Sequence, residues 1–148
     1  MRDEILKLEE RSVALEPSPA LRKEWTKSVT QYADDFIDNI ETTPAYVISE
    51  ENGRDLLNHD FRESGMAIDS ILEILKENVD SIGLNPASSG HLGYIPGGGI
   101  YSTALGDFLA AVTNRYAGIF YGGPGAVRIE NQLIRWMNGL IGFPEGSL

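Results

Sequence analysis

The chain has no cysteine, which excludes disulfides, thiolate metal sites and a cysteine nucleophile. That absence fits a reducing compartment such as the cytoplasm. Long apolar runs are missing too. The longest unbroken one, Phe108 to Val112, is far too short to span a membrane. A signal peptide needs an apolar stretch near the start, whereas MRDEILKLEE carries charge throughout,. Basic residues are scarce, 12 Lys and Arg against 22 Asp and Glu, for a net charge of −10. A phosphate backbone needs a basic face, so a nucleic-acid partner is not expected.

What is present divides unevenly. Residues 1–89 hold 19 acidic and 9 basic side chains, and so the whole net charge. Residues 90–148 hold three of each sign and 13 of the 16 glycines. The first part reads as solvated helices, the second as glycine-rich turns and buried helices. At 148 residues the chain fits one ordinary domain, which buries about two-thirds of its unfolded surface. An apolar content of 42% is normal for a globular protein, so disorder is not expected.

Hydrophobic spacing predicts five helices and little strand. Ile5, Leu8, Ser12 and Leu15 line a short, weakly apolar helix over 3–15,. Ser18-Pro19 reads as an N-cap followed by proline at the first helical position. Leu21, Trp25, Val29, Tyr32, Phe36 and Ile40 then form an apolar stripe that stops before Pro44,. Residues 44–62 read as irregular, with a turn at Asn52-Gly53. A third helix carries Ile68, Ile71, Leu72, Leu75 and Val79, with Gly83 as its expected stop,. Residues 84–101 read as a loop, with Ser102 or Thr103 capping a fourth helix through Leu105, Phe108, Leu109, Val112 and Tyr116,. Residues 117–123 read as a short strand or an extended loop. Pro124 opens a fifth helix, apolar over most of its circumference, which Gly142 and Pro144 end,. The third and fifth helices ask for more cover than this chain supplies.

The run His91-Leu92-Gly93-Tyr94-Ile95-Pro96-Gly97-Gly98-Gly99 is the most unusual stretch. Three consecutive glycines cost conformational entropy and suit an odd backbone turn or a close approach by a ligand. By itself the run reads first as a flexible loop. No Gly-Lys-Ser/Thr follows and the GxGxxG spacing is absent, so it is neither a Walker loop nor a dinucleotide fingerprint. His59 and His91, the two histidines, lack partners at metal-ligand spacing, so no metal is expected. A lone loop histidine reads as a surface or hydrogen-bonded residue before a general base. Glu130, on an apolar helix, either faces water or is paired. No G-x-S-x-G elbow is present. Lys7, Lys23, Lys27 and Lys76, the four lysines, all lie in the charged part. A Schiff-base lysine must shed its proton in a desolvated or cationic setting, and none of the four has one.

Two pieces read together carry more. HLGYIPGGGIYSTALGDFLAAVTNRYAG and GGPGAVRIENQLIRWMNGLIGFP resemble the N-terminal region of the pyridoxal-phosphate-dependent decarboxylases that include the aromatic-L-amino-acid, glutamate and histidine enzymes. The order matches: a tyrosine-proline loop, a helix, a Pro-Gly-Ala turn, and a Glu-containing helix ending in Gly-Phe-Pro. The likeness is close over about the last 59 residues. It extends to the helices at 22–40 and 66–80 in place and pattern, and the segment before Ser18 has no counterpart.

The resemblance implies a mainly α chain. It implies an N-terminal helical arm plus the first helices of a fold-type-I (aspartate aminotransferase-like) domain, ending before the main α/β sheet. The implied division is an extra helix over 1–17, a dimerisation arm over 18–84, and a substrate loop with the first domain helices over 85–148. In the family the phosphate cradle follows the Gly-Phe-Pro equivalent, and the ring-stacking histidine, the aspartate and the Schiff-base lysine come later. This chain is therefore expected to be an N-terminal part that binds no pyridoxal 5'-phosphate itself and is inactive alone. Tyr94, Ile95 and Pro96 are implied to pack against the substrate side chain. Gly97 falls where aromatic-acid enzymes carry a threonine, so that hydroxyl is absent here. Tyr116 and Gly118 match positions that reach into the neighbouring subunit's pocket. The implied partners are a second copy of the chain and an amino-acid substrate. A self-standing helical dimerisation module without chemistry is the alternative.

Overall fold

The computed structural model describes residues 1–13, 15–60, 64–94, 97–144 and 146–147. It is mainly helical and forms two compact units, Met1–Gly98 and Gly99–Leu148.

In the first unit α1 spans Arg2–Val13. Asp3 and Glu4 in its first turn and Arg11 in its last suit the helix dipole,. Leu15 falls beyond its end. The next helix, α2 (Pro19–Asp38), starts where Ser18-Pro19 placed it: Ser18 Oγ accepts from the Leu21 amide at 3.2 Å,. It ends earlier than its stripe predicts. Asn39 takes over the last turn, its Nδ2 donating to the Asp35 carbonyl at 2.6 Å. The Asn39 carbonyl also accepts from the amides of Thr42 and Thr43. Asparagine competes with helical hydrogen bonding in this way, and Ile40 is left outside the helix.

The segment expected to be irregular contains more order than its sequence advertises. Strand β1 (Tyr46–Val47) pairs antiparallel with β2 (Gly83–Leu84), Tyr46 opposite Leu84 and Val47 opposite Gly83. A 3₁₀ turn covers Arg54–Asn58. Asn52 and Gly53 form the expected turn, both with positive φ. A β-carbon at Gly53 would lie 2.8 Å from the Asn78 carbonyl oxygen, so this turn needs glycine for close packing as well as for φ.

Helix α3 (Ile68–Leu75) runs into a π-helical turn over Lys76–Asp80. Gly83 does not cap it; its φ of 75° begins β2. The α3 helix packs on α2, and Tyr32 Oη donates to Asp80 Oδ2 at 2.5 Å. The Tyr32 phenol is pushed up to about 12 from 10.0, first by desolvation, then by the Asp80 hydrogen bond and charge,. A raised acid contributes stability below its unfolded value and loses it as pH rises through the folded one. The Tyr32–Asp80 link is thus complete below about pH 10 and lost through about pH 12. Following helical circular dichroism from pH 9 to 12 is expected to show a loss in the wild type that Tyr32→Phe lacks. Coincident titration curves would exclude the link as a source of alkaline sensitivity.

In the second unit α4 spans Tyr101–Thr113. Its N-cap is Ile100, not Ser102 or Thr103. The Thr103 hydroxyl instead donates back to the Ile100 carbonyl at 2.6 Å. Asn114, with a left-handed φ of 41°, ends the helix through its amide bond to Ala110. Tyr116 therefore lies outside the helix and off its stripe. Residues 117–123 form bends and turns without strand. Helix α5 (Pro124–Ile141) has both predicted ends: proline at its first position and Gly142 at φ 76°.

Among the described residues no apolar side chain is buried; Ser88 alone is, at 5% exposure. Leu105, Phe108, Leu109 and Val112 of α4 are exposed, as are Ile129, Leu133, Trp136 and Leu140 of α5.

Candidate functional site

The loop that carries Tyr94 has a built foot. Asn85 donates its amide to the Ala45 carbonyl at 2.9 Å, directly after β2. Its Oδ1 accepts from the Ala87 amide at 3.0 Å. Ser88 Oγ donates to the Thr43 carbonyl at 2.6 Å and accepts from the Gly90 amide at 3.2 Å. Ser89 Oγ donates to the Glu41 carbonyl at 3.1 Å. The segment after α2 therefore holds the chain as it enters the loop. Neither Ser88 nor Asn85 stands out in the sequence by motif or spacing. The available signal was the run Asn85-Pro86-Ala87-Ser88-Ser89-Gly90, all but one of them strong turn formers.

Beyond the foot, His91 donates its amide to the Ser88 carbonyl at 3.0 Å. Its ring stacks with Tyr94, centroids 6.3 Å apart and planes at 25°. Tyr94 has a positive φ of 60° and is 92% exposed. Positive φ is uncommon for a residue with a β-carbon. Ile95 and Pro96 lie outside the described residues. Gly97, Gly98 and Gly99 have no positive φ, and among the described residues a β-carbon on any of them meets nothing within 4 Å.

Tyr94 and Gly97 belong to the first unit, Tyr116 and Gly118 to the second. The Tyr116 ring folds over Gly118, where a β-carbon would overlap its hydroxyl end. Its carbonyl oxygen abuts Gly123 so closely that a β-carbon there would overlap it. Tyr116, Gly118 and Gly123 thus make one compact turn leading into α5. The Arg128 guanidinium sits 4.9 Å over the Phe120 ring,.

The remaining titratable candidates stay apart. His59 pairs with Asp55 at 3.2 Å, a carboxylate one turn back that its sequence context did not suggest. The Asn58 amide and the His59 ring hold the Asp55 carboxyl below its usual value. Among the described residues no group of three His, Asp or Glu side chains is placed to hold a metal. No described helix is long and apolar enough to cross a membrane. Glu130 faces solvent on α5. Lys7, Lys23, Lys27 and Lys76 are all exposed. These lysines do not fit pyridoxal 5'-phosphate, which needs a desolvated amine to hold its aldehyde.

No protein-family model and no solved structure matches the chain. The chain is similar to an aromatic-L-amino-acid decarboxylase of Bacillus atrophaeus, 28% identical over 121 residues. The match covers 79% of this chain and 25% of the relative, so the chain spans about a quarter of the length of the curated relative it matches. This distant similarity suggests a decarboxylase-related segment.

Proposed function

We propose that the chain is the N-terminal segment of a pyridoxal-phosphate-dependent amino-acid decarboxylase of the fold-type-I class, inactive alone. In this reading Tyr94, Ile95, Pro96 and Gly97 wall the substrate side chain, and Tyr116 and Gly118 reach into the pocket of a second subunit. The arm over 18–84 supplies dimer interface, and the assembly works in the cytoplasm. The observation that carries the reading is the similarity to a decarboxylase along 79% of the chain. Exposed apolar faces on α4 and α5 support the part that needs other surfaces. Because the lysines here do not fit the cofactor, this segment's share is positional: it shapes the wall against which the amino acid lies.

The purified chain, mixed with pyridoxal phosphate and reduced with borohydride, is expected to show only weak, scattered lysine labelling. By light scattering coupled to size exclusion it is expected to be a two-fold dimer, the commonest closed assembly. Stoichiometric labelling of one lysine would overturn the inactive-segment reading. A clean monomer at micromolar concentration would overturn the interface reading.

A further inference from the structure

Tyr94 holds a left-handed backbone, φ 60°, that a residue with a β-carbon keeps only when its neighbours fix it. The neighbour seen on its ring is His91, stacked at 6.3 Å. His91 in turn hangs from the Ser88 carbonyl at 3.0 Å. Ser88 is buried and its hydroxyl is fixed to the Thr43 carbonyl at 2.6 Å. A continuous line of contacts therefore runs from the segment after α2 to the Tyr94 phenol.

His91 Nε2 is sealed from solvent and has no hydrogen-bond partner among the described residues. A nitrogen so placed gains nothing from hydrogen bonding, and its desolvation opposes the arrangement. What the imidazole contributes is its flat face. We infer that His91 is a positioning residue: its ring holds Tyr94 in the left-handed turn and sets the direction in which the phenol meets the substrate. The inference rests on reading the Tyr94 loop as a substrate wall, and it names the residue that sets the wall's angle. This nitrogen, without a partner among the described residues, also dictates the rescue, because phenylalanine keeps the flat ring and removes that atom.

The test uses the full chain, isotopically labelled, and the intraresidue amide-to-Hα nuclear Overhauser effect at Tyr94. That effect is strong only at positive φ. It is expected to be strong in the wild type and in His91→Phe, and lost in His91→Ala and in His91→Asn, which hydrogen-bonds but cannot stack. A strong effect persisting in His91→Ala would overturn the positioning role. So would its loss in His91→Phe or its absence in the wild type, and if His91→Ala fails to fold, the phenylalanine variant decides. No substrate enters this measurement. Its failure removes the role of His91 alone, whereas failure of the decarboxylase reading leaves the pattern intact.

Discussion

Gly123→Ala is expected to disrupt the turn between α4 and α5, with the largest stability loss of any glycine substitution in the second unit. The added β-carbon would overlap the Tyr116 carbonyl oxygen and lie 3.0 Å from its carbonyl carbon. Both atoms are backbone, so no rotamer change relieves the clash. Overpacking of this kind costs roughly 1–3 kcal/mol, and backbone obstruction belongs at the upper end. Two neighbours calibrate the effect. For Gly118→Ala the three nearest atoms all belong to the Tyr116 ring, which at 64% exposure swings aside at small cost. Gly139→Ala lies inside α5 with nothing within 4 Å, and removing a mid-helix glycine stabilises by about 0.5–1 kcal/mol. Urea midpoints read by circular dichroism are expected to fall for Gly123→Ala, change little for Gly118→Ala and rise for Gly139→Ala. A Gly123→Ala midpoint equal to the wild type would show that the tight Tyr116–Gly123 approach does not hold this turn.

How far this architecture was legible in the sequence depended on whether the determinant was local. The start of α2 and both ends of α5 were readable because Ser18-Pro19, Pro124 and Gly142 act on their own backbone neighbourhood,. The end of α2 was misplaced because an apolar stripe records burial, whereas Asn39 ends the helix through polar bonds to Asp35. The exclusion of Tyr116 from α4 follows the same logic. It sits at helical spacing from Val112, yet the left-handed Asn114 stops the helix two residues earlier.

At the candidate site the Tyr94 loop was visible as a motif, but its support was not. The Ser88-to-Thr43 bond joins residues 45 apart, and β1 meets β2 across a similar distance. No periodicity of either segment announces such pairings. The left-handed φ at Tyr94 was equally hidden, since the expected site of unusual backbone was the adjacent glycine run. That run has ordinary φ values and open space around it. The strain falls on the aromatic residue and the room falls on the glycines, which suits a loop that presents one ring and leaves space beside it.

Gly97→Thr is expected to change substrate preference in an enzyme carrying this segment. A loop glycine with positive φ would reject a β-branched residue and lower every activity together. Gly97 has no such φ, and a β-carbon there meets no described residue within 4 Å, so threonine is expected to be accepted at this position. The added methyl and hydroxyl then act on whatever occupies the space at position 97. A group of that size in a pocket changes discrimination by about 1–3 kcal/mol, or roughly 10- to 200-fold in relative kcat/KM. The resemblance places a threonine here in aromatic-acid enzymes, so the shift is expected to favour aromatic side chains over those the wild type prefers. The measurement is kcat/KM for a panel of amino acids in competition, with thermal melting to confirm that the variant folds. A preference profile unchanged in a well-folded variant would mean that position 97 does not read the substrate side chain. A uniform fall across the panel would place the cost in the loop backbone, against the geometry seen at Gly97.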